Sequence, residues 1–299
     1  MKKKKLIILS GITLLVIMFI VMLTYSVDLM PDSLQGDKNA VENEAKGKEI
    51  MRKAWVAHGI DSLYAHEVYE LTAVDDWKGP MAGMGKLWPQ KNTKLQLKYV
   101  PNTFDAQLTF LDGETKGMKA GLQAWQYYEK QVNGEIDFDV QNNTKYRFGM
   151  AAFQYFIELC GRLNKAEYIR YAGEKEFNGK QYDLVFATWG ALKGHPAHDQ
   201  YLLYINQENN MLEYVSFTVR DNYLDMPGSG IFYGSAAYSD IRNVDGFQVP
   251  FTISLFMNGP SIDNNDYLHQ LKLSTFSFDG FDQSELYPNQ GLKPIGDSK

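Results

Sequence analysis

The chain has 299 residues, of which 44% are hydrophobic and 14% aromatic, and carries a formal net charge of −6. That apolar content excludes a largely disordered chain and suffices for one large domain or two small ones. Setting four N-terminal lysines aside from the 30 basic residues leaves 26 against 36 acidic ones; no basic cluster with interleaved aromatics remains, which argues against nucleic acid as a partner.

"MKKKK" precedes residues 6–25, "LIILSGITLLVIMFIVMLTY", which carry no charge. About 20 apolar residues in a helix rise roughly 30 Å, enough to cross a bilayer core. A cleaved signal has a shorter apolar core and a small-x-small cleavage site, and "MLTYSVDLM" offers a poor one. Residues 1–27 are read as an uncleaved transmembrane anchor in the inner (cytoplasmic) membrane, with a cleaved signal as the alternative. The lysines stay cytoplasmic and the rest of the chain faces the periplasm. Residues 28–46 are polar and non-periodic, a flexible linker. A helix follows over 41–58, with Ile50, Met51, Ala54 and Trp55 on one face and Gly59 as its stop. His58 is expected at its C-terminus, favoured by the helix dipole.

Residues 66–140 read mostly as strands, with 19 Tyr and 17 Phe in the chain favouring pleated, half-buried surfaces. "GLQAWQYYEK" is read as one strand. The loop 76–89 carries Trp77, Met81, Met84 and Trp88, apolar groups that want a partner surface. The apolar run over 146–161 predicts a second helix, packed on two sides. It contains Cys160, the single cysteine, read as a small buried hydrophobe.

From Ala166 onward the pattern is a run of hairpins. Asn178-Gly179 and Asp245-Gly246 are turn signals, because both residues tolerate positive φ. Val215, Phe217 and Val219 share a face. Phe247, Val249, Phe251, Ile253, Leu255 and Met257 alternate with polar residues along one long strand. Leu268 and Leu271 fall out of phase unless a bulge intervenes. The fold class is mainly β (α+β): a curved antiparallel open half-barrel of about ten strands over residues 47–292, with covering helices and a flexible tail at 293–299. Helices packed on the concave side would leave an apolar volume.

Polar constellations are weaker. His195, His198 and Asp199 could ligate a metal, but Gly194 and Pro196 break any helix, and a solvated loop with a turn aspartate is the better reading. His66 and His269 read as half-exposed strand residues. Asp75-Asp76 and the Asp137/Asp139 pair read as solvated turns or strand ends. No nucleophile elbow, phosphate loop or H-E-x-x-H is present. No catalytic residue, metal or cofactor is expected.

Ordered fragments carry a resemblance: "YAGEKEFNGKQYDLVFATW", "HDQYLLYINQENNMLEYVSFTVRD", "YGSAAYSDIRNVDGFQVPFTISLF" and "HQLKLSTFSFDGFD", with "KAWVAHGIDSL" and "FLDGETKGMKAGLQAWQYYE" before them. Over roughly residues 48–290 the chain resembles bacterial outer membrane lipoprotein-sorting proteins of the LolA/LolB-like superfamily, in an exported branch of that group. The resemblance implies an incomplete β-barrel closed by helices, whose apolar cavity binds acyl chains of lipoproteins or other lipids. The chain departs from the carriers, which have a cleaved signal, and from the receptor form, which has a lipid-modified cysteine. Arg147, Arg162 and Arg170 are candidates, by location only, for the carriers' critical arginine.

The expected cavity residues are Phe186, Phe217, Val219, Phe251, Ile253 and Leu255 on strands, with Phe153 and Phe156 on the covering helix. The expectation is a membrane-tethered, non-catalytic lipid or lipoprotein binder. The alternatives are an envelope protein-interaction module with a filled core, contacting its partner through loop 76–89, and, more remotely, a metal-dependent hydrolase.

Overall fold

The computed structural model describes residues 26–37, 39–80, 82–138, 143–220, 229–263 and 265–293. The apolar run of the expected anchor lies outside them. Among the described residues no helix is long and apolar enough to cross a membrane.

Among the described residues thirteen strands form one antiparallel sheet: β1 (Tyr69–Trp77), β2 (Asn92–Tyr99), β3 (Ala106–Phe110), β4 (Lys119–Gln123), β5 (Gln126–Lys130), β6 (Ile136–Asp137), β7 (Tyr168–Phe177), β8 (Lys180–Thr188), β9 (Gln200–Asn206), β10 (Leu212–Thr218), β11 (Tyr233–Val244), β12 (Phe247–Met257) and β13 (His269–Phe278). Their order is β6-β5-β4-β3-β2-β1-β13-β12-β11-β10-β9-β8-β7. Two meanders therefore meet where β1 pairs with β13. The sheet is open, with β6 and β7 at its edges, consistent with the expected curved half-barrel but with more strands than the pattern suggested. The extra strands come from β6 and from splitting "GLQAWQYYEK".

That segment is a hairpin. Ala124 and Trp125 turn the chain between β4 and β5 at φ of 49° and 63°. Neither residue type advertises a turn, since side chains with a Cβ rarely adopt positive φ. The turn is held from outside: Ala124 N–H donates to Asp105 Oδ1 (2.7 Å), and Trp125 packs on the Phe104 ring with centroids 4.8 Å apart. Asn178-Gly179 and Asp245-Gly246 turn as their residue types require, with φ of 49° and 73°, and of 48° and 90°. Thr72 pairs with Thr275 and Ala73 with Leu273, so Ser274 is an extra residue in β13. This bulge keeps Phe276 on the core face that His269, Leu271 and Leu273 already share; it lies beyond the interval from Leu268 to Leu271, and Leu268 precedes the strand.

Five α-helices accompany the sheet among the described residues: α1 (Ala40–His58), α2 (Ile60–Ala65), α3 (Ala82–Gly85), α4 (Thr144–Ile157) and α5 (Leu159–Leu163). α1 lies along β7 and reaches β12, whereas α4 lies on β3 and β4. The stop after α1 is strict. Gly59 has φ of +68°, and a Cβ there would fall 1.9 Å from Gly246 O in the β11–β12 turn. His58, expected to serve the helix dipole, is instead buried, and its Nε2 accepts from Leu212 N–H (2.9 Å). Burial pushes its pKa down to about 4, because the charged ring would lose its water. α4 begins at the cap Asn143, whose Oδ1 accepts from Tyr146 N–H (3.1 Å).

The main apolar cluster lies between the sheet and the helices. A second covers the other face of β7–β10, with Ala172, Tyr182, Leu184, Phe186 and Tyr204 packed under Leu29, Met30 and Leu34. Residues 28–36, expected as flexible linker, are thus strapped to the sheet. Leu29 N–H donates to Gln200 Oε1 (2.8 Å), and Ser33 Oγ donates to Ala172 O (2.9 Å). Three apolar side chains in a polar stretch were enough to cover an aromatic outer face. The remainder of the expected linker, from Ala40, is α1.

Candidate ligand-binding cavity

Between α4 and the sheet lies a cavity of about 1050 Å³. α4 contributes Phe148, Ala151, Ala152, Phe153, Tyr155 and Phe156. Small residues at 151 and 152 keep the helix from filling the space. The opposite wall comes from the ends of β10, β12 and β13, where Phe217, Val219, Ile253, Leu255 and Leu271 line it. Phe156 and Phe217 meet across it, ring centroids 4.8 Å apart at 64°, the edge-to-face arrangement that aromatic quadrupoles favour.

Six of the expected cavity residues line this space: Phe153, Phe156, Phe217, Val219, Ile253 and Leu255. Phe251 shares their face of β12 but is packed in the core, with the Arg242 guanidinium 3.9 Å from its ring centroid. Phe186 belongs to the outer cluster. Along β8 it is Val185 and Ala187 that join the main core. Both faces of this strand are covered, so alternation alone could not say which set points inward.

The partner-contact reading of loop 76–89 needs correction at both tryptophans. Trp77 is the last residue of β1, stacked on His269 with centroids 4.2 Å apart. Trp88 is 2% exposed and packs against Phe110, Tyr146 and Phe153. Gly149 of α4 makes room for it, since a Cβ there would lie 2.6 Å from the indole. Burying two such large apolar surfaces outweighs leaving them in a loop. Met84, in α3, is 52% exposed. Met81 lies outside the described residues.

Polar groups enter at one end. His198 and Asp199 line the cavity beside Thr218 and Arg220. Asp199 Oδ1 accepts from Thr218 Oγ1 and from Arg220 N–H, both at 2.9 Å, so the carboxylate ties β9 to β10. His195 and His198 face each other across the loop with centroids 5.1 Å apart. Among the described residues no group of three His, Cys, Asp or Glu side chains converges as a metal-ligand set. Burial raises the Tyr201 hydroxyl pKa well above its usual range, keeping this lining residue neutral.

One feature of the wall was missed. Asp75 and His269, expected to be solvated, are buried and hydrogen-bonded through Oδ1 and Nε2, and Trp77 Nε1 donates to Asp75 Oδ2 (3.0 Å). The signal was present: Tyr69, Leu71, Ala73, Asp75 and Trp77 alternate inward along β1.

Of the three arginines, Arg147 lines the cavity. Arg162 is fully buried and paired with Glu158 (2.9 Å), which also accepts from Tyr69 Oη (2.9 Å). Arg170 pairs with Glu44 of α1 (2.8 Å). Cys160 is buried, and burial pushes its thiol up to about 12.

No protein-family model matches the chain, and no curated protein matches it in sequence. Solved structures share its fold. A LolA superfamily protein from Nitrosomonas europaea is 11% identical with a TM-score of 0.51, covering 82% of this chain and 99% of its own. A domain assigned to outer membrane lipoprotein sorting from Vibrio parahaemolyticus is 11% identical at 0.50, covering 82% and 97%. A DUF1329 family protein from Desulfovibrio piger is 8% identical at 0.52, covering 84% and 99%. At such identities the likeness speaks to architecture, and the architecture of this chain is the LolA-like fold.

Proposed function

We propose that the protein holds acyl chains of a lipid or lipoprotein in its cavity, without catalysis or cofactor. In this reading residues 6–25 tether it to the inner membrane and the folded domain faces the periplasm. The observation that carries the reading is the cavity itself: about 1050 Å³, walled mainly by aromatic and aliphatic side chains, and not filled by them. Ligand pockets typically enclose about 300–1,000 Å³, and each methylene moved from water into such a wall contributes about 0.8 kcal/mol. The lipoprotein-sorting assignment of a protein sharing the fold supports the same ligand class. The filled-core alternative required no internal volume and loses its two tryptophan contacts to the core.

Titration of residues 26–299 with a fluorescent long-chain fatty acid tests the proposal. Saturable binding, displaced by unlabelled lipid, is expected. Absence of binding after delipidation would refute it.

A further inference from the structure

The start of the described chain is fixed at the mouth of the cavity. Val27 N–H donates to Gly230 O, and Val27 O accepts from Arg220 Nη2, both at 2.8 Å. Gln200 holds the next two residues: its Nε2 donates to Asp28 Oδ1 and its Oε1 accepts from Leu29 N–H, again at 2.8 Å. The 194–198 loop abuts them, since a Cβ on Gly194 would lie 2.8 Å from Val27 O. Arg220, Ala197 and His198 also line the cavity. Two further lining residues, Phe232 and Met257, are 41% and 39% exposed, an apolar rim open to the outside.

The other end of the molecule is far away. β12 runs from Phe247, beside the Gly246–Gly59 contact, to Met257 at the mouth, roughly 30 Å at about 3.3 Å per residue. The uncharged run ends at Tyr25, two residues before Val27. Each residue spans at most about 3.6 Å, so Val27 is held within roughly 7 Å of the end of that run.

We infer that the mouth of the cavity is held against the bilayer that residues 6–25 enter, with Phe232 and Met257 meeting the lipid surface. An acyl chain then passes between membrane and cavity without crossing water. Exposed apolar groups bordering a cavity are what such an interface requires. The inference rests on the proposed reading of residues 6–25 as a membrane span and of the cavity as an acyl site.

The test uses the full chain in nanodiscs of phosphatidylethanolamine and phosphatidylglycerol containing brominated phosphatidylcholine. An environment-sensitive fluorophore is attached in separate variants at Phe232→Cys, Met257→Cys and Val56→Cys. Val56 is 64% exposed on the last turns of α1, at the far end. Native Cys160 is buried and its thiol pushed up to about 12, so the label goes to the introduced cysteine. Labels entering the outer ~5–10 Å of the bilayer should be quenched about twofold or more, as expected at 232 and 257, with no quenching at 56. Equal quenching at all three positions, or quenching at 56 alone, would overturn the inference. A chain that stays on the discs and takes up fluorescent fatty acid while 232 and 257 remain unquenched refutes the orientation alone. A chain that does not associate with the discs refutes the tether and the orientation together.

Discussion

Trp77 and His269 are register partners on β1 and β13, and their rings stack 4.2 Å apart at 14°. The stack holds His269 beside Asp75, which accepts from both rings. The cavity wall is thereby built on a small buried polar network rather than on apolar contacts alone.

Asp75→Ala leaves two buried donors without their acceptor, and truncating one partner of such a network costs about 3 kcal/mol. The double variant Asp75→Leu/His269→Phe replaces both partners by apolar groups and should recover much of that loss. Urea denaturation of the two variants checks the order; a double variant no better than the single one would mean that the shape of the site, not its hydrogen bonding, sets the cost.

Val219 and Phe186 separate binding from stability. Val219→Trp extends into the cavity and should weaken fatty-acid affinity tenfold or more, about 1.4 kcal/mol, while the folded state persists. Phe186→Ala empties the outer cluster and should cost about 3–5 kcal/mol of stability with binding unchanged. Fluorescence titration and thermal melting of each variant give the four values.

His58 makes stability depend on pH. Its folded pKa, lowered by burial to about 4 from 6.5, means that the unfolded chain binds more protons between those values. The contribution of neutral His58 is therefore complete above pH 6.5 and is lost as pH falls toward 4, by up to about 3 kcal/mol. His58→Gln keeps an acceptor for Leu212 N–H but does not titrate. The difference in unfolding free energy between pH 7 and pH 5 should shrink in this variant by the His58 share.

Gly59→Ala meets both a left-handed backbone and the Gly246 carbonyl. A loss of about 3 kcal/mol is expected, seen as a lowered urea midpoint. A neutral result would show that α1 and the β11–β12 turn can separate at little cost.

The sequence revealed this molecule where local chemistry and tertiary context agree. Asn178-Gly179 and Asp245-Gly246 need positive φ, and the chain turns there. Six cavity residues were legible because alternation and helix period marked faces that have one covered side. Phe186 was misplaced because residues 28–36 cover the opposite face of its strand as well. Ala124-Trp125 was invisible as a turn because Asp105 and Phe104, distant from the strand pattern, hold it. Trp77 and Trp88 look like exposed contacts in the sequence because the glycines and prolines around them signal a loop, whereas Gly149 and His269, far along the chain, provide their places. Asp75 was read by its charge although its position in the β1 alternation already placed it inward.

An acyl-chain cavity should retain its ligand through purification. Native mass spectrometry of residues 26–299, purified without detergent, measures this most directly. Adducts with the masses of lipids or fatty acids are expected, reduced in Val219→Trp and retained in Phe186→Ala. A domain that is ligand-free in every preparation and stays so after incubation with lipid vesicles would contradict acyl binding.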